Sequence, residues 1–158
     1  MNYKPLQPGN IAPDFTVSIA ENKQLSLSEL SGRYVVLYFY PKDNTPGCTI
    51  EARSFNALLP EFEKHGAEVI GVSKDSLKSH DKFKSLFDLK LHLGSDAEFE
   101  LCKKYEVWIE KSMFGKKYMG INRTSFLIDK EGKIVHIWPK VKVRGHAQEV
   151  LDKIKELS

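Results

Sequence analysis

The sequence predicts an α/β fold, built as a mixed central sheet flanked by helices on both faces. In its first part, apolar runs typical of strands alternate with amphipathic stretches typical of helices, and this alternation indicates βαβ units with parallel strands. Residues 124–138 contain two strand-like runs around the short loop 130–132, which favours an antiparallel hairpin. Parallel units followed by an antiparallel hairpin predict a mixed sheet.

The elements of the first half follow from hydrophobic periodicity and from turn residues. The run 34–40 is continuously apolar and aromatic, which is typical of a strand buried on both faces and places it near the centre of the sheet. A helix is predicted from Cys48; Pro60 kinks or restarts it, and Gly66 ends it. The other predicted elements here are strands over residues 14–19 and 68–73 and a short element over residues 25–30.

The second half contains three more predicted helices with strands between them. Residues 76–87 show an amphipathic pattern, and Ser95 and Asp96 are suited to cap a helix over residues 97–105. The remaining predicted elements are strands over residues 91–94, 124–129 and 133–138 and a closing helix over residues 146–157.

Length and composition fit one domain. The chain has 158 residues, of which 41% are hydrophobic, so we expect residues 1–158 to form a single domain with a full core. The net charge of +3 is spread over stretches of mixed sign, which predicts a solvated surface and no nucleic-acid partner. The sequence shows no secretory signal and no apolar segment of membrane-spanning length, so we expect a cytoplasmic protein with no membrane partner.

The number and spacing of the cysteines and histidines limit the kinds of site that the chain can form. The two cysteines, Cys48 and Cys102, are too few for a disulfide framework and form no C-x-x-C pair. The five histidines show none of the spacings typical of metal ligands. We therefore expect no metal and no other cofactor.

Cys48 combines a predicted helix start with a Pro/Gly turn at the end of a buried strand. The unpaired N–H groups and the positive dipole end of a helix start favour a thiolate, which is a nucleophile. Thr45 lies three residues earlier, where its hydroxyl is placed to bond an oxygen of a ligand; Gly47 allows close backbone approach, and Pro41 sets a rigid ring at the strand exit. The alternative is an inert buried thiol, which this context disfavours.

Four segments carry a resemblance to a known family: YFYPKDNTPGCTIEA, GVSKD, EKSMFGKKYMGINR and SFLIDKEGKI. The first contains P-x-x-x-T-x-x-C, which resembles the active-site loop of the peroxiredoxins. Together they resemble the bacterioferritin comigratory protein branch, also called peroxiredoxin Q, over roughly residues 5–155. The resemblance implies a thioredoxin-like fold and reduction of hydroperoxides by Cys48, with Pro41, Thr45 and Arg123 completing the site.

The implied reaction is attack of the Cys48 thiolate on the terminal peroxide oxygen, helped by donors aimed at the leaving oxygen. The resemblance implies that Arg123 is one of these donors. The alternative is that Arg123 forms only an ordinary salt bridge. We expect Gly47 and Glu51 to contribute to the substrate site. Glu51 lies on nearly the same helix face as Cys48, where an unpaired carboxylate would disfavour the thiolate. We therefore expect a cation beside Glu51, either Arg123 or Arg53. The alternative is that Glu51 is an ordinary surface carboxylate.

Three aromatic residues are candidates to line the peroxide entrance. Core packing is the interpretation we favour for them, because large aromatic side chains dominate protein interiors. They are Phe39, Trp108 and Phe114.

The fate of oxidised Cys48 depends on a second thiol. Many members of the branch carry a resolving cysteine five residues after the first, where this chain has Arg53, and others carry it in the following helix, where residues 74–90 contain none. Cys102 lies in a predicted packed helix, which indicates a structural thiol. We therefore expect a one-cysteine cycle with an external thiol such as thioredoxin, glutaredoxin or glutathione, in a monomer or weak dimer. Two alternatives stay open: Cys102 as an unorthodox resolving residue, and a non-enzymatic redox sensor or binding module.

Overall fold

Residues 5–158, the part of the chain that the computed structural model describes, form nine strands, five α-helices and one 3₁₀ helix, Leu27–Leu30. None of the helices in this part is long and apolar enough to cross a bilayer. The strands are β1 (Thr16–Ala20), β2 (Lys23–Ser26), β3 (Tyr34–Phe39), β4 (Ala67–Ser73), β5 (His92–Ser95), β6 (Trp108–Met113), β7 (Lys116–Ile121), β8 (Thr124–Ile128) and β9 (Ile134–Trp138). The α-helices are α1 (Pro46–Ala57), α2 (Leu59–Lys64), α3 (Leu77–Phe87), α4 (Glu100–Lys104) and α5 (His146–Leu157).

Seven strands form one mixed sheet with the order β2-β1-β5-β4-β3-β8-β9. β3, β4 and β5 are parallel, and antiparallel strands extend the sheet on both sides. In the central strand, Leu37 lies opposite Ile70 of β4 and Phe126 of β8. All six residues of β3 are buried, which confirms the prediction of a central strand covered on both faces.

Two hydrophobic clusters lie on opposite faces of this sheet. Successive side chains of a strand point to opposite faces, and β3 follows that rule: Val36 joins one cluster together with Phe55 of α1, and Leu37 joins the other together with Leu101 of α4. Residues of α2, α3 and α5 belong to the first cluster, and residues of the 3₁₀ helix belong to the second. Helices therefore cover both faces, as the sequence predicted.

Two helix starts differ from their predicted positions by two residues or more. α1 begins at Pro46 rather than at Cys48, because proline suits the first turn of a helix. α4 begins at Glu100 rather than at residue 97, because Phe99 has a left-handed φ of 61°. Asp96 still caps it, since its carboxylate accepts the N–H groups of Leu101 and Cys102 at 3.1 and 2.8 Å.

The β6–β7 hairpin is the element that the sequence did not reveal. It forms a separate two-stranded sheet, and Met113 pairs with Lys116 around Phe114 and Gly115, whose φ angles are 52° and 79°. Two consecutive positive φ angles are typical of a type I′ turn. Most of its side chains are exposed or half-buried, so the alternation of buried and exposed residues that indicates a strand is missing.

The close contact between Gly71 and Tyr38 leads to a stability prediction. A Cβ at Gly71 would lie 2.6 Å from Cζ of Tyr38, and the Tyr38 ring is restrained because it stacks on Phe55 with centroids 4.7 Å apart. We expect Gly71→Ala to lower the free energy of unfolding by about 1–3 kcal/mol, measured by denaturant titration. Combined with Tyr38→Leu, which removes the clashing atoms, the total loss should be smaller than the sum of the two single losses. Additive losses would contradict this explanation.

Candidate active site

Cys48 lies in the first turn of α1, directly after the loop that leaves β3. The residue is 1% exposed. Thr45 precedes the helix in an extended conformation, and its carbonyl accepts the Thr49 N–H at 2.8 Å. The sulfur therefore lies near N–H groups that have no partner within the helix, and near the positive end of the helix dipole.

Arg123 connects Cys48 with Glu51. It lies between β7 and β8, 75 residues after the cysteine, and its Nη2 donates to Cys48 Sγ at 3.3 Å. Its Nη1 donates to Glu51 Oε1 at 2.6 Å. Of the two cations that the sequence offers to Glu51, the structure selects Arg123, because Arg53 is exposed and its guanidinium lies over the Phe87 ring, 5.8 Å from the centroid.

Gly47 gives the guanidinium room beside the backbone. A Cβ at this position would lie 3.3 Å from Nη2 of Arg123, a distance that leaves little space for any side chain. The glycine therefore allows the arginine to lie against the first turn of α1. Gly47, Cys48, Glu51 and Arg123 form one contiguous group.

Glu51 is a buried carboxyl with raised proton affinity. It is 1% exposed, and burial raises its pKa to about 7, although the charge of Arg123 and the hydrogen bond from it act in the opposite direction. Its Oε2 is buried without a hydrogen-bond partner among the described residues. Burial lowers the pKa of Arg123, but Glu51 and Cys48 together raise it by more. Near neutral pH, Glu51 therefore populates both protonation states while Arg123 stays charged.

Thr45 and Pro41 lie on the loop that leads to Cys48. The Thr45 hydroxyl donates to the Lys42 carbonyl at 2.8 Å, which uses its hydrogen and leaves its lone pairs free to accept a bond from a ligand. Both residues are half-buried. The structure thus brings Thr45 to the start of α1 as an acceptor.

The three aromatic candidates have different environments. Phe39 is fully buried and packs against Phe126 and Tyr105, as the core interpretation predicted. Trp108 stacks on Phe99 with ring centroids 3.8 Å apart. Phe114 is 98% exposed at the tip of the β6–β7 hairpin, so core packing was the wrong interpretation for that residue; the left-handed turn that it occupies directs it outward.

Cys102 is separated from Cys48 by the central sheet. Both thiols are free and buried, but Cys48 belongs to the cluster on one face and Cys102 to the cluster on the other. Burial, and then the neighbouring Asp96, raise the pKa of the Cys102 thiol well above its usual range. These surroundings fit a structural thiol.

A buried polar network next to the loop was not indicated by the sequence. One ligand atom from each of Asp43, Asp75 and His80 lies within 4.8 Å of the other two, as in a candidate metal site. These atoms already bond one another and the backbone: His80 Nδ1 lies 2.7 Å from Asp43 Oδ2, and Asp75 Oδ2 accepts the Asp43 N–H at 2.8 Å. The residues are distant in sequence, and the only signal was that the two aspartates closely follow the neighbouring parallel strands β3 and β4.

Comparison with known sequences gives consistent matches. The sequence matches the AhpC/TSA family over residues 8–137. It is 49% identical over 142 residues to Peroxiredoxin Bcp of Xanthomonas campestris pv. campestris, which covers 90% of this chain and 89% of that protein. It is 45% identical over 153 residues to Peroxiredoxin Bcp of Bacillus subtilis, which covers 97% of this chain and 98% of that protein.

Solved structures share the fold over almost the whole chain. A structure of the Xanthomonas campestris bacterioferritin comigratory protein, described with trapped intermediate and ligand complexes and with alkyl peroxide reduction activity, has a TM-score of 0.86 at 47% identity and covers 90% of each chain. A cysteine-to-serine mutant of Xylella fastidiosa PrxQ has a TM-score of 0.88 at 41% identity, covering 99% of this chain and 98% of that one. These neighbours confirm the thioredoxin-like fold.

The raised pKa of Glu51 predicts a pH-dependent stability. Between its ordinary value of 4.5 and about 7, the folded protein holds a proton that the unfolded chain has lost, so the free energy of unfolding falls as pH rises through this window. The full loss from this group is about 3 kcal/mol. The glutamine of Glu51→Gln cannot ionise. We therefore expect the free energy of unfolding of this variant, relative to that of wild type, to increase by about that amount from pH 4.5 to pH 7 in denaturant titrations. Parallel stability curves for the two proteins would contradict the prediction.

Proposed function

This chain belongs to the AhpC/TSA family, within its peroxiredoxin Bcp branch, and from that premise we propose that it reduces hydroperoxides at Cys48 in a one-cysteine cycle completed by an external thiol. Membership of this branch makes the chain a thiol-dependent peroxidase, so the alternative of a non-enzymatic sensor is not retained. The observation that carries the proposal is the 3.3 Å contact between Arg123 Nη2 and Cys48 Sγ at the start of α1.

The first step is attack of the Cys48 thiolate on the terminal oxygen of the hydroperoxide. An S–O bond forms as the O–O bond breaks, the sulfur is oxidised to sulfenic acid, and the leaving oxygen takes a proton to become water or an alcohol. Negative charge thus moves from the sulfur to the leaving oxygen. Fixed donors aimed along that path stabilise the transition state more than the ground state.

Arg123 and the first turn of α1 are suited to supply those donors. The guanidinium already lies against the sulfur and stays charged, and Glu51 fixes its orientation through the 2.6 Å bond. The N–H groups of Gly47 and Cys48 open the helix and have no helical acceptor. The Thr45 oxygen is placed to accept the peroxide O–H, and Pro41 shapes the loop; these roles are part of the proposal.

The same geometry supports an external reductant. The first helix carries Arg53 rather than a cysteine five residues after Cys48, and Cys102 lies in the cluster on the far side of the sheet. We propose that thioredoxin, glutaredoxin or glutathione reduces the sulfenic acid, that the protein acts as a monomer or weak dimer of one domain, and that it works in the cytoplasm. No nucleic-acid or membrane partner is part of this proposal.

Mass analysis after a single oxidation tests the cycle. Treated with a stoichiometric amount of hydrogen peroxide, the wild-type chain should gain one oxygen and form no internal disulfide. Cys48→Ser should abolish peroxide consumption, because the nucleophile is lost. Cys102→Ser should leave turnover with an external thiol nearly intact. A stoichiometric disulfide between the two cysteines, with severe loss of turnover in Cys102→Ser, would overturn the one-cysteine cycle in favour of Cys102 as the resolving residue.

Arg123→Met tests transition-state stabilisation. The variant should react more slowly with hydrogen peroxide even at a pH where the thiol is fully ionised, because the donor beside the leaving oxygen is lost. We expect the rate constant at full ionisation, measured with hydrogen peroxide over a pH series, to remain at least about tenfold below wild type. Arg53→Met is the matched control, because Arg53 contacts Phe87 rather than the cysteine. If the rate constant of Arg123→Met at full ionisation returned to the wild-type value, transition-state stabilisation by Arg123 would be contradicted, and Arg123 would affect only the ground state of the thiol.

A further inference from the structure

The loop between β3 and α1 is attached to the sheet by a buried pair of hydrogen-bonded side chains, Asp43 and His80. Asp43, in the middle of this loop, is 8% exposed, and His80 of α3 is 1% exposed. His80 Nδ1 lies 2.7 Å from Asp43 Oδ2. The same carboxylate accepts the Tyr40 hydroxyl at 2.6 Å on its other oxygen and the Ser79 hydroxyl at 2.8 Å.

Further hydrogen bonds hold both members of the pair. His80 Nε2 lies 2.9 Å from the Gly94 carbonyl of β5, and a carbonyl only accepts, so this nitrogen carries a hydrogen. Nδ1 faces a carboxylate oxygen that also accepts the Ser79 hydroxyl, and the bonds from His80 and Tyr40 help to lower the pKa of Asp43 against the effect of burial. Nε2 of His80 therefore donates to the Gly94 carbonyl, while the Asp43 carboxylate is held by His80, Tyr40 and Ser79 together.

The backbone of the loop is held by the same network. The Asp43 N–H donates to Asp75 Oδ2 at 2.8 Å, and Asp75 also accepts the Ser73 hydroxyl at 2.7 Å, at the end of β4. The loop is thus tied to the carboxyl ends of three parallel strands and to α3. Two residues after Asp43 comes Thr45, whose hydroxyl bonds the carbonyl of Lys42 within the same loop.

We propose that Asp43 and His80 are positioning residues, which hold the loop so that Thr45 and the N–H groups at the start of α1 meet the peroxide beside Cys48. This inference rests on the function proposed for Cys48. Neither residue contacts the sulfur in the structure; they act through the loop. Because a misplacement of about 1 Å in such a site costs up to about a hundredfold in rate, the pair influences catalysis although it lies outside the reacting group.

The test compares Asp43→Asn, His80→Gln and the double variant. We expect each single variant to slow oxidation of Cys48 by hydrogen peroxide about tenfold to a hundredfold. The double variant should be no slower than the slower single variant, because the two residues act as one unit.

Alkylation of Cys48 separates positioning from simple loss of structure. Cys48 is 1% exposed, so a variant with a loosened fold exposes its thiol, and iodoacetamide then alkylates that thiol faster. If Asp43 and His80 only position the loop, oxidation of Cys48 by peroxide slows while the rate of its alkylation stays unchanged. Asp96→Asn is the matched control, since Asp96 is also 8% exposed and bonds the start of α4 rather than the loop. Its oxidation rate should stay within about twofold of wild type.

Two results would overturn the proposal. They are oxidation of both single variants at the wild-type rate, and alkylation that rises in step with the loss of oxidation. Failure of the underlying function is recognised separately, because Cys48→Ser would then still consume peroxide.

Discussion

One guanidinium shared by a thiol and a carboxyl is the interaction on which the site depends. Arg123 donates to Cys48 Sγ and to Glu51 Oε1, and its planar fork can serve both acceptors at fixed angles. The acceptors belong to α1, whereas the arginine precedes β8, so the contact requires correct strand pairing. Thr124 lies opposite Phe39, which places Arg123 beside the strand exit that leads to the cysteine. A shift of one residue would turn the side chains of β8 to the other face.

Sharing one cation has an electrostatic consequence. When Glu51 is ionised, the charge of Arg123 is divided between the carboxylate and the sulfur; when Glu51 is protonated, more of that charge is available to the sulfur. Because burial brings the pKa of Glu51 to about 7, the division changes within the neutral range. The carboxyl that orients the guanidinium therefore also modulates the field that the guanidinium applies to Cys48.

Local patterns in the sequence were sufficient for the elements that are buried regularly, and insufficient where contacts join distant segments. The run 34–40 predicted the central strand because β3 is covered on both faces. The position of Arg123 beside Cys48 came only from the family resemblance, since 75 residues separate them. The β6–β7 hairpin escaped notice because its side chains are largely exposed. The pairing of Asp43 with His80 depends on how α3 packs on the sheet, which no local spacing encodes.

The sheet and the shared guanidinium together determine which thiol can reach oxidised Cys48 in the proposed cycle. A disulfide requires Cα atoms within about 7 Å, and Cys102 packs on the opposite face of the sheet. An external thiol faces a different obstacle, because Cys48 is 1% exposed. The bond from Arg123 is strong while the sulfur is anionic and weakens when the sulfur becomes neutral sulfenic acid. In the proposed cycle, the contact between Arg123 and the sulfur, which promotes the first step, is therefore weaker when the reductant attacks in the second step.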